Sequence, residues 1–274
     1  MADLRKAAVA GAFYPLNPDS LNKQIEEFVS QAPVDNSYKD TFGIIVPHAG
    51  YIYSGQCAAY GYKALSQKKF TRAVLIAPSH RFAGFRFSVG NYDYYQTPLG
   101  KIEVDKEYSE QLLEDKNFDF ILQAHRNEHA LEVQLPFLQF INKKVKIVPI
   151  VFGAQNYSNS LILSKILTNL FSDKLDETVF VISSDLSHYY DSDIAKKKDG
   201  KLADYLKQRD VTKLKENFAA KSIEACGEGG ILTLLEMANS LNIKNIRNLK
   251  YMHSGEINHD YSQVVGYIST VFYN

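Results

Sequence analysis

The chain has 274 residues, enough for a substantial core, and its 31 basic residues equal its 31 acidic ones. A net charge of zero lacks the basic excess of a phosphate-tracking nucleic-acid binder, and two cysteines exclude a disulfide framework. No apolar run approaches the ~20 residues of a membrane span, so no membrane role is expected.

The opening stretch MADLRKAAVAGAFYP carries charges but no long apolar segment, so no secretory leader is expected and the cytoplasm is the expected compartment. An amphipathic helix is predicted over 20–31, then a loop, QAPVDNSYKDT, over 31–41. GIIVP (43–47) reads as a buried strand and GQCAAYGYKAL (55–65) as a helix with a small-residue face. RAVLIAP (72–78) is a second strand. Helices follow over 106–115 and 128–141, the latter kinked or broken by Pro136. Strands are predicted over 145–152 and 178–184, helices over 160–171, 196–207 and 230–241, and a closing strand over 264–272. Strands separated by helices predict one α/β domain, 1–274, with a mainly parallel central sheet flanked by helices.

In open α/β sheets, ligands bind beyond the carboxyl ends of the strands. IIVPHAG places His48 there, and VLIAPSHR places His80 there in a matching context. TVFVISS is followed by DLSH, which adds Asp185 and His188. One such histidine is most simply a loop cap; two in matching contexts point to a shared crevice. Cys226, in ACGEGGI, precedes a predicted helix whose dipole would favour the thiolate. Its plainer reading is a small buried hydrophobe, and Cys57, inside a small-residue helix, is expected to be inert packing.

HRNEH (125–129) matches H-x-x-E-H. On one helix, His125 and His129 would share a face and chelate zinc, with Glu128 as base. The other reading is a helix aiming Glu128, His129, Glu132 and Gln134 at a site made elsewhere, with His129 as general base or as an orienting partner of a ligand. Arg5, Tyr51, Tyr53 and Arg81 are rim candidates for which loop packing is the simpler account. HSGEINHDY (253–261), with His253 and His259, reads as an exposed polar loop.

AGAFYP, VPHAGYIYSG, APSHR, TPLG (97–100), EHALEVQLPFLQ, SSDLSHY and ACGEGGI occur in this order. Together they resemble the Memo family, from about residue 5 to 272. The resemblance implies a fold similar to class III extradiol ring-cleavage dioxygenases and a metal held by His48, His80 and Cys226. His129, His188 and Asp185 would line the same pocket as acid/base or orienting groups. A divalent metal is implied, iron favoured, with copper or zinc also suited to such donors. A cysteine departs from the two-histidine, one-carboxylate set of those dioxygenases. Three functions follow as expectations. The first is metal-dependent, dioxygenase-like oxidoreductase chemistry on a small substrate. The second is a protein- or peptide-binding module using the former enzyme pocket. The third is a zinc hydrolase using His125, Glu128 and His129. A radical-SAM or AMMECR1-type protein is the implied protein partner.

Overall fold

A computed structural model describes residues 3–33 and 36–274. Val34 and Asp35, in the middle of the expected 31–41 loop, lie outside the described residues, as do Met1 and Ala2. The first half of the chain comprises β1 (Leu4–Arg5), α1 (Pro18–Gln31), β2 (Thr41–Val46), α2 (Tyr51–Leu65), β3 (Arg72–Pro78), β4 (Phe87–Val89), β5 (Tyr94–Thr97), β6 (Gly100–Val104) and α3 (Lys106–Leu113). The middle adds β7 (Phe118–Asp119), α4 (Leu122–Arg126), α5 (His129–Glu132), α6 (Leu135–Ile141), β8 (Lys146–Phe152) and α7 (Tyr157–Phe171). The rest is β9 (Thr178–Ser183), β10 (His188–Tyr190), α8 (Ser192–Lys207), α9 (Val211–Ala219), α10 (Glu228–Ser240), β11 (Asn245–His253), α11 (Gly255–Asn258) and β12 (Val264–Tyr273).

Local sequence accounts for many of these boundaries. Asn17 caps α1 by accepting the Ser20 amide at 2.9 Å, and Pro18 occupies its first turn. Leu21, Ile25 and Val29 recur every fourth residue and form its buried stripe. Helix α2 carries small residues because it lies tight on the sheet: a Cβ at Gly61 would stand 2.6 Å from Val46 Cγ1. Pro136 does break the predicted 128–141 helix, sitting in the first turn of α6 after α5 has ended.

The strands form one sheet, ordered β1-β5-β6-β8-β3-β9-β2-β12-β10, with β11 on β12, β4 on β8 and β7 on β4. Strands β6, β8, β3, β9 and β2 run parallel. β5 is antiparallel to β6, β4 to β8, and β12 to β2, β10 and β11. The sheet is therefore mixed, which corrects the mainly parallel expectation. The antiparallel members were the hard ones to read: β4 and β5 are short, and β11 (NIRNLKYMH) lacks an apolar run. β11 also corrects the start of the exposed loop read over 253–261, because His253 ends the strand at 1% exposure, while His259 and most of the segment from Glu256 on are exposed.

Both faces of the central strands are covered, which is why they read as continuous apolar runs. Ala73, Leu75 and Ala77 of β3 pack with α1, α2 and α6 residues such as Leu21, Tyr62 and Phe137. Val74 and Ile76 pack on the other face with α7, α8 and α10 residues such as Leu163, Leu202 and Leu234. Among the described residues, no helix is long and apolar enough to cross a membrane.

Candidate metal centre

Strand β9 lies between β2 and β3, parallel to both, with Val46 level with Ser183 and Ile76 level with Ile182. The residues that follow these strands must therefore emerge at one edge of the sheet. His48 and His80 meet there, ring centroids 5.1 Å apart and near perpendicular at 79°. His129, the first residue of α5, joins them at 5.5 Å from His48 and 4.6 Å from His80. One nitrogen from each of His48, His80 and His129 lies within 4.8 Å of the others.

Hydrogen bonds fix the tautomer of His48. Ser183 Oγ donates its only proton to the Ala130 carbonyl at 2.6 Å and accepts from Gln134 Nε2 at 2.8 Å. His48 Nδ1, 2.8 Å from the same oxygen, must then be the donor, which leaves Nε2 with a free lone pair. The His48 amide also donates to Asp185 Oδ1 at 2.7 Å. His80 is held the same way by Glu128. Its amide donates to Oε2 at 2.7 Å and its Nδ1 lies 2.9 Å from Oε1. A carboxylate only accepts, so His80 also keeps Nε2 free. Glu128 caps α5 as well, taking the Ala130 amide at 2.9 Å. Burial alone would raise the Glu128 carboxyl, but hydrogen bonds from the His80 ring and amide and from Ala130 outweigh it and hold it at about 2.

Burial, then the nearby His80, pushes His48 down to about 3. Burial, then His48, pushes His129 down to about 4. All three causes favour neutral imidazoles, the metal-binding form. His129 Nδ1 is buried without a hydrogen-bond partner; it stands 3.3 Å from Glu128 Oε1 without making a bond. An orphaned nitrogen beside two lone-pair nitrogens fits a cation at this point.

Cys226 lies against His48, Sγ to Nε2 at 3.1 Å, and accepts the Asp185 amide at 3.1 Å. The thiol is not acidified as its place before α10 suggested. Burial, reinforced by the Asp185 charge, pushes it well up. Burial also raises Asp185, whose Oδ2 is 3.9 Å from His48 Nε2. His188 is half-buried at the start of β10, and its charge acts on both His48 and Asp185. Cys57 is buried packing, its Sγ 3.7 Å from the Lys250 carbonyl.

His125 does not join the cluster, which corrects the H-x-x-E-H reading. The chain leaves α4 at Asn127 and restarts at α5, so His125 and His129 share no helix face. His125 is 2% exposed, and its ring nitrogens meet Ser88 Oγ and Tyr95 OH, each at 3.0 Å. Glu132 also turns away from the site. It pairs with buried Arg5 and accepts the Ala8 and Val9 amides and the Tyr14 hydroxyl, fastening the N-terminal segment. Tyr51 donates to the Val133 carbonyl at 2.7 Å, so Arg5 and Tyr51 are packing residues. Ser183 and Gln155 were missed by sequence reasoning. Ser183 is the last residue of β9, and the strand-end rule applied to β8 reaches Gln155.

A family model described as Memo-like protein matches residues 5–271. The chain belongs to the Memo family. A MEMO1 family protein of Methanobrevibacter smithii is 38% identical over 283 residues, covering 98% of this chain and 99% of its own. Relatives under the same description in Methanocaldococcus jannaschii and Thermotoga maritima are 35% and 34% identical, covering 99% and 98% of this chain and 99% of their own. Among solved structures, an uncharacterized Escherichia coli K12 protein shares 10% identity over 84% of this chain and 99% of its own, with a TM-score of 0.49. In this Memo family chain, the VPHAG and APSHR motifs supply two of the three clustered histidines, and EHALEVQLPFLQ supplies the third together with the Glu128 that holds His80.

Proposed function

We propose that the strand-end crevice binds one divalent metal ion and serves oxidoreductase chemistry on a small substrate, in the manner of class III dioxygenases. The observation that carries this reading is the convergence of His48, His80 and His129, with Ser183 and Glu128 holding the first two in the Nε2-free tautomer. His48 and His80 bind the ion through Nε2, and Cys226 or His129 supplies the next donor. Iron is favoured for the chemistry, and copper or zinc suits the same donors. When bound, the ion supplies Lewis acidity and, for iron or copper, a redox centre. Asp185 orients the His48 segment through its amide, and half-buried His188 is the imidazole left to move a proton at the wall.

The test is elemental analysis of protein purified without oxygen. Wild type is expected to carry about one metal per chain, and His48→Ala and His80→Ala to lose most of it. Cys226→Ser and His129→Ala then name the further ligand by which variant releases the ion. Full occupancy in both His48→Ala and His80→Ala overturns the reading. A second reading, a peptide- or protein-binding module, is favoured by exposed Ile52, Phe82 and Tyr189, which follow His48, His80 and His188 closely. It requires capture of a partner, such as a radical-SAM or AMMECR1-type protein, to survive His48→Ala and fail in Tyr189→Ala.

A further inference from the structure

We propose that Gln155 is the positioning residue for the Cys226 sulfur; the inference rests on the reading of this crevice as a metal centre that includes Cys226. Strand β8 is the fourth parallel strand to end at this edge, with Phe152 level with Pro78. Its carbonyl accepts the Ser79 amide at 3.1 Å, and the amides of Gly153 and Ala154 donate to the Arg86 and Phe85 carbonyls at 3.0 and 2.9 Å. Gln155 therefore stands on a backbone tied down at several points.

Both ends of its side-chain amide are spent on the Cys226 turn. Nε2 donates to the Cys226 carbonyl at 2.7 Å, and Oε1 accepts the Gly229 amide at 2.9 Å. Gly229 N–H is one of the free donors of the first turn of α10, and the N-cap residue Gly227 has no side chain to satisfy any of them. The opposite side of the turn is held by the residues that follow β9. Gly227 N donates to Ser184 Oγ at 2.9 Å and Cys226 N to the Asp185 carbonyl at 3.2 Å. A Cβ at Gly227 would stand 2.6 Å from the Ser183 carbonyl oxygen, so glycine is what lets the turn lie this close to β9. Gln155 holds the turn from the other side. Between these two walls the sulfur sits 3.1 Å from His48 Nε2.

Capping of α10 and positioning of Cys226 are separable. Gln155→Glu keeps an acceptor for Gly229 N–H and adds favourable charge at a helix start, but sets an oxygen against the Cys226 carbonyl. Gln155→Ala removes both contacts. Two readouts on the full chain decide the matter. The first is the reaction of the metal-free protein with a disulfide reagent such as Ellman's, to which fully buried Cys57 stays silent. The second is the thiolate-to-cobalt charge-transfer band after loading with Co(II) alone. Gln155→Glu is expected to react about fivefold faster than wild type, the fold-change of one lost neutral hydrogen bond, and Gln155→Ala, which loses two, faster still. Both are expected to lose the charge-transfer band while histidine-bound cobalt remains. The proposal is overturned if thiol reactivity is unchanged in both variants, or if Gln155→Glu matches wild type while Gln155→Ala alone differs. Should Gln155→Ala fail to fold, Gln155→Glu, with its helix cap intact, still decides. A wild type that binds cobalt without the band removes Cys226 from the metal centre, and the thiol reaction alone then decides the role of Gln155.

Discussion

Replacing Ser183 with alanine removes one oxygen that three groups share. His48 Nδ1–H and Gln134 Nε2–H lose their acceptor, and the Ala130 carbonyl loses its donor. Ser183 is 1% exposed, so bulk water does not replace it. A buried polar group left without a partner costs ~1–3 kcal/mol. Gln134 Nε2 keeps the Pro47 carbonyl at 3.0 Å, so the main orphan is His48. The three groups meet at a single atom and their costs do not add; a total loss of ~2–4 kcal/mol is expected. Urea unfolding of metal-free protein reads it as a lower midpoint at constant slope. A second consequence concerns the proton. Without an acceptor at Nδ1, His48 is free to carry its hydrogen on Nε2, the metal-facing atom. Nitrogen NMR of the ring reads that tautomer, and metal affinity is expected to fall ~10–100-fold. A stability loss under ~0.5 kcal/mol, with the Nδ1–H tautomer and metal affinity unchanged, would refute the assignment of Ser183 as the group that fixes His48.

Glu128→Gln removes the carboxylate that orients His80, and metal affinity in chelator competition should drop ~10–100-fold. Because the folded carboxyl is held down at about 2, its contribution is complete above the ordinary carboxyl range and is lost as pH falls toward 2; the unfolding free-energy difference between wild type and Glu128→Gln should shrink only in that acid window. The metal-free protein should also lose stability on acidification below the ordinary histidine range, since burial holds His48 and His125 neutral down to about 3 and His129 to about 4 while the unfolded chain takes up protons. Each such histidine adds up to ~1.4 kcal/mol per pH unit, so His125→Gln should flatten the pH slope of unfolding while metal content stays unchanged; loss of metal in that variant would restore the H-x-x-E-H hydrolase.

The sheet edge was legible because β2, β3 and β9 are apolar runs buried on both faces, which leaves the next residue of each nowhere to go but past the end of the strand. The order of those strands was not legible. Nothing local says that β9 lies between β2 and β3, since pairing is a long-range choice. Helix α4 was equally hidden: the helix predicted from 128 starts where α5 does, but no apolar periodicity announced a separate short helix over Leu122–Arg126. The Cys226 thiol was misjudged for a related reason, as the helix dipole is a local property and burial is not.

The same division separates the proposed ligands from what would make them ligands. His48 and His80 can be picked out by position alone, but an imidazole binds metal only through a nitrogen without a proton. That state is set by Ser183, 135 residues from His48, and by Glu128, 48 residues from His80. Both partners had other readings in the sequence, as the end of a strand and as the base of a zinc motif. Each acquires its role only when β9 is placed beside β2, and α5 beside β3. A chain with the same histidines and a different strand order would keep the motif and lose the tautomers. The arrangement of the sheet is therefore part of the proposed metal centre's chemistry, and Ser183 and Glu128 are the residues at which that dependence can be measured.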